Sequence, residues 1–457
     1  MAMNISRRDF LKLGTCGMAA VAVGAAGGYG LLWRGNEAMA TSQTLNLTIL
    51  EAEHEMTDGI RVAAWAFSLN GTLASVPGVV IYAVEGDDLE INVTNGHSAN
   101  HSFAVPGVVD SGIIAPGQTV PVRFQAPAAG TYMYLDPLNA PVNRVMGLYG
   151  ALVVLPRIQL TPYSNPTSNV QRLFEDFGTA VHFPGHPWDP NRTWIWVFGS
   201  VDPVKHALAA ATPSVSAEMF TSGYSPRYFM INGKSGFFAS HDHRVEISGY
   251  VGQPALIRSM NAGLSWHSPH THFNHCYRLA VNGVVQRDLW LLDTWSLGPL
   301  DRVDMLMPFI QPPDIPPQTW SKIEGGTNQE NLPMVWPMHC HLETSQTAAG
   351  GNYPNGLIAH MKLLGPVNPA NEVIIVEKAE LRVRIGRLSL AGRASGNSQL
   401  TFYAGAPEDG RVIGTVTVPV NGRWVFEGRG LKALSNRTVS VVSSSTARRE
   451  NIRCMVR

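Results

Sequence analysis

The chain has 457 residues, of which 45% are apolar and 15% are charged, and its formal net charge is zero at pH 7. A neutral chain lacks the basic surface that binding to nucleic acid requires, so we expect no nucleic-acid partner. Its 44 glycines and 31 prolines punctuate many short extended segments. This composition predicts a large all-β protein with room for two or three domains.

Residues 1–40 are predicted to be an export signal. Ser6-Arg7-Arg8-Asp9-Phe10-Leu11-Lys12 has the twin-arginine pattern, an apolar Gly/Ala-rich stretch follows, and Ala38-Met39-Ala40 matches a small-residue cleavage site. An uncleaved membrane anchor is the alternative, because the stretch approaches the ~20 residues of a span. Its six glycines favour cleavage. We therefore expect a periplasmic or other extracytoplasmic protein whose signal peptide engages the membrane only during export by the twin-arginine route.

A first β domain is predicted over residues 45–160. Segments 87–94, 129–134 and 146–154 have the pattern of strands, and the first of them alternates as a half-buried strand does. His97 and His101 lie four residues apart in a predicted loop. We expect His97 to be solvated there, and we keep His101 as a candidate metal ligand.

A second β domain is predicted over residues 190–366, after a linker rich in proline, serine and asparagine at 161–166 and a stretch of uncertain assignment. Residues 194–198 are predicted to be a buried strand. Two clusters give this domain its chemistry. They are His267-Ser268-Pro269-His270-Thr271-His272 and His339-Cys340-His341.

The second cluster is suited to two metal sites at once. Side chains alternate along a strand, so His339 and His341 point one way and Cys340 the other. Thiolate with imidazole suits copper, zinc or iron, and one cysteine with two histidines is the blue-copper ligand set. Ordinary core histidines with a buried thiol are the alternative interpretation.

The remaining cysteines and histidines carry weaker signals. Four cysteines are too few for a disulfide framework, and Cys276 in an apolar segment is predicted to be core. His241-Asp242-His243 is predicted to be a surface turn of a hairpin. His182, His186 and His206 also lie outside the two clusters.

A third segment, residues 370–457, follows the linker at 366–369. It alternates apolar and polar residues in about seven short strands, which predicts an immunoglobulin-like sandwich. It has no histidine. We expect it to dock, space or stabilise rather than to catalyse.

Together the two clusters resemble the C-terminal copper ligands of the multicopper oxidase family of the cupredoxin superfamily, in which His-Pro-x-His-x-His precedes His-Cys-His. The resemblance implies an all-β fold of two cupredoxin-like Greek-key β-sandwich domains before the C-terminal immunoglobulin-like sandwich, and it implies copper as the cofactor. His267 and Cys340 resemble the type-1 ligands through which catalytic electrons enter. The resemblance implies that the ligands of the trinuclear cluster are His270, His272, His339 and His341. His101 is the one further candidate ligand of that cluster.

The ligand pattern of the family is incomplete in this chain. Where a complete oxidase has two further His-x-His units, this chain has His101-Ser102-Phe103 and Leu135-Asp136-Pro137. The nitrite-reductase variant would have His-Cys after Tyr134. Ser345 stands where the family has the second type-1 imidazole. His360 could replace it only if its strand were rebuilt.

The resemblance is nearest to two-domain laccases, which implies a homotrimer. The leading hypothesis is an exported, copper-dependent oxidoreductase with an incomplete ligand set, acting with dioxygen or a redox partner. Two alternatives stay open. One is a copper-binding or electron-transfer protein without oxidase turnover, and the other is a copper-free cupredoxin scaffold.

Overall fold

A computed structural model of the protein describes residues 43–72, 74–157, 161–177, 187–190, 192–310, 333–349, 351, 353–365, 374–405, 407, 411–419, 422–430, 438–444 and 447–456. The predicted export signal, His182 and His186 lie outside these residues. No helix among the described residues is both long enough and apolar enough to cross a bilayer.

The first domain is a sandwich of two sheets. Its strands are β1 (Gln43–Glu55), β2 (Arg61–Leu69), β3 (Ile81–Val84), β4 (Asp88–Asn95), β5 (Ala104–Val105), β6 (Val109–Asp110), β7 (Thr119–Gln125), β8 (Gly130–Leu135) and β9 (Tyr149–Leu155), with helix α1 (Val142–Val145) before β9. The sheet orders are β2-β1-β4-β7 and β3-β9-β8-β5-β6. Strand β4 alternates buried and more exposed side chains as its sequence predicts, because one face covers the core.

The second domain is also a two-sheet sandwich. Its strands are β10 (Thr193–Val201), β11 (Tyr228–Ile231), β12 (Ile247–Gly249), β13 (Ala255–Asn261), β14 (Pro269–Thr271), β15 (Cys276–Val281), β16 (Val284–Val285), β17 (Leu291–Leu292), β18 (Arg302–Met307), β19 (Met334–Cys340) and β20 (Ile358–Leu363). Four helices accompany them, namely α2 (Ser168–Asp176), α3 (Pro203–Ala211), α4 (Ala217–Thr221) and α5 (Gly236–Ser240). The larger sheet has the order β11-β10-β13-β18-β15-β16 with β17 beside β15, and the smaller has β12-β20-β19-β14.

The larger sheet of the second domain packs on the first domain. Strand β9 is buried along its whole length, because one face covers its own core and the other meets Ile195, Val197 and Met260. A buried polar network crosses the same boundary. Arg258 Nη1 lies 3.0 Å from Asp304 Oδ2, and Thr131 of the first domain donates to the other oxygen of that carboxylate at 2.6 Å. The smaller sheet is therefore on the far side of the second domain.

The C-terminal segment forms a third sandwich. Its strands are β21 (Ile375–Arg382), β22 (Arg387–Arg393), β23 (Gln399–Ala404), β24 (Val412–Thr417), β25 (Arg423–Gly428), β26 (Thr438–Ser443), β27 (Arg448–Arg453) and β28 (Met455–Val456). They pair as β25-β22-β21-β28 and β24-β23-β26-β27. The sandwich contacts α2, where Arg393 Nη1 donates to the Phe174 carbonyl at 2.8 Å. The all-β prediction is confirmed.

His206 on α3 is a buried histidine at the contact between the first two domains. Its Nδ1 donates to the Ala63 carbonyl at 2.9 Å, and burial lowers its pKa to about 4. A neutral imidazole is therefore built into the folded protein.

We predict that His206→Asn reduces the pH dependence of stability. The folded pKa is about 4 and the ordinary value is 6.5, so the unfolded chain binds more protons between these values, and the free energy of unfolding falls as pH drops through that window. This shift corresponds to about 3 kcal/mol. Asparagine keeps a donor for Ala63 but does not titrate. Urea unfolding at several pH values measures the difference, and identical pH profiles for the two proteins would contradict it.

Candidate metal centre

The pairing of β14 with β19 brings the two sequence clusters together. In this antiparallel register His270 lies opposite His339, and Pro269 lies opposite Cys340. Because faces alternate, Cys340 is fully buried in the core and His339 points to the outer face of the smaller sheet. His272 and His341 follow the paired residues on the same outer side and are exposed.

Four imidazoles converge on this outer face. Their ring centroids are 4.5 Å apart for His270 and His341, 4.6 Å for His270 and His272, 5.0 Å for His272 and His339, and 5.1 Å for His339 and His341. Two rings that each bind one ion through a nitrogen about 2.0 Å away would have centroids roughly 4.5–5 Å apart. The four rings, called here the imidazole face, therefore have the spacing of metal ligands.

One nitrogen pair on the imidazole face is especially close. His272 Nε2 and His339 Nε2 are 2.9 Å apart. His339 Nδ1 lies 3.3 Å from the Cys340 carbonyl, which only accepts, so the ring proton belongs on Nδ1 and Nε2 carries a lone pair. A histidine that binds a metal through one nitrogen commonly donates from the other in this way.

His270 is oriented by a residue that neither cluster contains. Its Nδ1 is 2.7 Å from Thr294 Oγ1, and the Asp293 carboxylate is 3.7 Å away. Burial and then the neighbouring His272 lower the pKa of His270, and burial lowers that of His339. Both rings therefore favour the neutral form that binds metals. Thr294 carries no motif, so sequence reasoning did not find it.

The imidazole face is not a closed site within one chain. In the part of the chain that the structure describes, no three histidine, cysteine or acidic side chains surround a single point as a complete metal site requires. The four rings instead form pairs with one side open to solvent. This arrangement supplies about half of a metal cluster.

His267 and Cys340 are both buried on the core side of the smaller sheet, in surroundings called here the dry pocket. The exposed fraction of His267 is 1% and that of Cys340 is 0%. The Ser268 N–H donates to Cys340 Sγ at 3.2 Å, and the His267 ring stacks on Phe198 at 5.7 Å. Burial lowers the pKa of His267 to about 4.

The buried ring of His267 has an unmet bonding requirement. Neither of its nitrogens has a hydrogen-bond partner in the described part of the chain. A buried polar group without a partner costs free energy, so such groups are rare and point to an additional ligand. A metal ion bound by the ring would satisfy that requirement.

Ser345, at the position where the resemblance implies a second type-1 imidazole, is engaged within its own turn. The Ser345 side chain is buried, and its hydroxyl donates to the Leu342 carbonyl at 2.9 Å within its own 3-10 turn, Glu343–Gln346. His360 does not replace it. Its neighbours Ala359 and Met361 fill the core, so His360 points to the outer face, away from Cys340.

The first domain holds a buried hydrogen-bond network where the family would have further ligands. His101 Nδ1 is 2.7 Å from Asp136 Oδ2, and His101 Nε2 is 2.8 Å from His97 Nδ1. Asn143 Nδ2 donates to the same carboxylate oxygen at 2.9 Å. The metal-ligand role of His101 stays a prediction, and it requires one of these two bonds to break.

The prediction of a solvated His97 is wrong. Its exposed fraction is 4%, and its ring packs against Trp65 with centroids 4.8 Å apart. The turn after Asn95, whose side chain accepts from the His97 N–H at 2.9 Å, folds the ring back over the core. The i, i+4 spacing of His97 and His101 was the signal available in the sequence, and it was discounted because the segment is not helical.

Two smaller predictions can also be compared with the structure. Cys276 is fully buried and burial raises its thiol pKa, so its core assignment is confirmed. The surface turn predicted at His241-Asp242-His243 is confirmed, since both histidines are exposed in a turn. It follows helix α5 (Gly236–Ser240) rather than a hairpin strand.

Residues 53–159, within the first domain, match a family model described as multicopper oxidase. The smaller sheet with its cysteine and histidines supplies the chemistry expected of that family. The first domain is thus similar to a cupredoxin-type multicopper oxidase domain.

Two copper proteins are similar to part of this chain. The chain is 31% identical over 175 residues to a copper-containing nitrite reductase of Pseudomonas chlororaphis, which covers 36% of this chain and 47% of the relative. It is 29% identical over 143 residues to the multicopper oxidase MCE of Talaromyces pinophilus, covering 27% of this chain and 23% of that protein. The chain thus spans about half or less of the length of these relatives.

Solved structures share the fold. The blue copper oxidase of Nitrosomonas europaea superposes with a TM-score of 0.53 at 20% identity, covering 71% of this chain and 86% of that chain. The multicopper oxidase mgLAC superposes with a TM-score of 0.51 at 22% identity and the same coverage. At these identities the likeness shows the fold alone.

Proposed function

We propose that this chain is an exported, copper-dependent oxidoreductase of the multicopper oxidase type that works with an incomplete ligand set. The observation that carries the proposal is the imidazole face, where four rings converge and one nitrogen pair is 2.9 Å apart. Copper-containing nitrite reductases and a multicopper oxidase among the relatives favour copper over other metals.

The chemistry of the donors agrees with copper. Imidazole and thiolate bind copper well, and Cu(II) is the most strongly bound divalent ion of its row. When bound, copper supplies one-electron transfer, which none of the protein side chains here provides. His267 and Cys340 would hold one ion in the dry pocket, and the imidazole face would hold the others.

The residues of the chain prepare both positions. The Ser268 N–H bond to Cys340 Sγ stabilises negative charge on the sulfur, and the apolar surroundings exclude water. Thr294 keeps the His270 ring oriented. His339 and His341 flank Cys340 directly, so a short stretch of backbone joins the pocket to the open face, where dioxygen or a redox partner has access.

A neighbouring subunit would complete the imidazole face. The face belongs to the smaller sheet, whereas the larger sheet covers the first domain of the same chain. Its open side has exposed apolar side chains beside it, namely Leu342 at 39% and Tyr353 at 58%. A closed ring of identical chains, here a homotrimer, places the first domain of one subunit against the face of the next. For His101 to contribute, its bond to His97 or Asp136 must open.

A copper-binding or electron-transfer protein without oxidase turnover is the second candidate. Ser345 in place of an imidazole favours it, because a hydroxyl already bonded to Leu342 is a poor ligand. A copper-free scaffold is less consistent with the unpartnered His267 ring.

We predict that the double variant His270→Ala/His339→Ala loses most of the bound copper. These residues are opposite each other on β14 and β19, so both halves of the imidazole face are removed together. Copper is measured in the purified protein by plasma mass spectrometry. His243→Ala, an exposed histidine elsewhere, is the control and should keep its copper. Full copper content in the double variant would show that the imidazole face does not bind the copper.

The copper-loaded protein should lack the intense blue absorption of a complete type-1 site. Only His267 and Cys340 are available as strong ligands, since Ser345 is engaged in its own turn. Visible spectra before and after Cys340→Ser test this expectation. An intense band that disappears in Cys340→Ser would show that a second strong ligand is recruited.

Light scattering of the mature protein should give the mass of three chains. Leu342→Asp adds a charge beside the imidazole face at an exposed position, so it should weaken the trimer while circular dichroism stays unchanged. A clean monomer at micromolar concentration would exclude the shared site and favour the second candidate.

A further inference from the structure

We propose that His241 and His360 form a second, separate metal-binding pair that takes a divalent transition-metal ion such as Cu(II) or Zn(II). Neither residue belongs to the imidazole face or to the pocket of Cys340. The proposal does not depend on the proposed oxidoreductase function.

The fold brings these two histidines together from distant parts of the chain. His241 caps the C-terminal end of α5, and His360 lies on β20, against which α5 packs. Their ring centroids are 4.9 Å apart with an interplanar angle of 72°. This separation is in the range of roughly 4.5–5 Å for two rings that share one ion through bonds of about 2.0 Å.

Hydrogen bonding leaves one nitrogen of His241 available. Its Nδ1 lies 3.0 Å from the Phe237 carbonyl, which can only accept, so the ring proton is on Nδ1. The Ser240 hydroxyl is also 3.0 Å from Nδ1, and the Phe237 ring stacks on the imidazole at 4.0 Å. The ring is thus oriented, and Nε2 has a free lone pair, as in histidines whose second nitrogen binds a metal.

His360 is suited to be the second ligand. It is half-buried on the outer face of its strand, while its neighbours Ala359 and Met361 fill the core, so its ring is directed towards His241. Because His241 is exposed, solvent and metal ions reach the pair.

The surrounding charges define which further ligand is available. Asp242 is held by Lys234 at 2.8 Å and by Arg244 at 2.6 Å, so it is already neutralised. Glu246 acts electrostatically on His360 but is paired with Lys362 at 2.7 Å. We therefore assign two imidazoles and water to the ion, with Glu246 able to join when it leaves Lys362.

The pair is separate from the imidazole face although both lie on the smaller sheet. His360 is opposite Pro337 on β19, whereas His339 lies two residues further along that strand and His270 lies on β14. Such a diagonal neighbour is about 7–8 Å away, and the His360 ring packs against that of His241 instead. The outer face of this sheet therefore has two metal-binding positions.

Equilibrium dialysis of the mature protein against Zn(II), which has no redox chemistry, tests the pair. His241→Ala and His360→Ala should each weaken one zinc site by about tenfold or more. His243→Ala, on the same turn with a side chain that is 58% exposed, should bind as the unmodified protein does. Unchanged zinc number and affinity in both ligand variants would overturn the proposal.

Two further variants separate this proposal from the proposed function. The double variant His270→Ala/His339→Ala should still bind zinc at His241 and His360. Loss of that zinc site in the double variant would contradict a pair that is separate from the imidazole face. Lys362→Met removes a cation near His360 and frees Glu246, so zinc should bind more tightly. Unchanged or weaker binding in Lys362→Met would contradict the placement of the ion beside His360.

Discussion

The pairing of β14 with β19 is the constraint on which the candidate metal chemistry depends. One register, His270 opposite His339 and Pro269 opposite Cys340, decides the positions of Cys340 and of the imidazole face. A slip of one residue would exchange the two faces, which would bury the imidazoles and expose the thiol. The core on one side of the sheet prevents that slip, because Met338 and Cys340 are packed among apolar side chains. Sheet packing and metal geometry thus select the same register.

The two faces of this sheet offer a metal very different surroundings. Below the sheet, Cys340 and His267 are buried away from water. The two ring nitrogens of His267 have no hydrogen-bond partner among the described residues, and water does not reach them. Above it, His272 and His341 are exposed and the rings meet in pairs. The two faces of the sheet therefore place a buried cysteine directly behind an open group of imidazoles.

The contact between the first two domains determines which side of the second domain stays open. Arg258, Asp304 and Thr131 form a buried polar network at that contact, and removing one member would leave a charge or a donor without its partner. This network and the apolar packing around Met260 keep the larger sheet against the first domain. The imidazole face consequently points outward. In the first domain the bonding of His101 with Asp136 and His97 shows that imidazole there is satisfied by protein groups alone.

Local patterns in the sequence were sufficient to predict part of the fold and part of the candidate metal centre. Alternation along β4 and the apolar run of β10 predicted strands. The His-Cys-His tripeptide predicted that Cys340 points to the opposite face from its two histidines, because side chains alternate with a period of two residues. Contacts between residues far apart in the chain were decided only by the tertiary structure. The burial of His97 over Trp65, the support of His270 by Thr294, and the meeting of His241 with His360 all depend on packing between segments whose spacing carries no periodic signal. The sequence by itself therefore determined which side chains can bind a metal, and the tertiary structure decided which of them meet, since that depends on how sheets and helices pack.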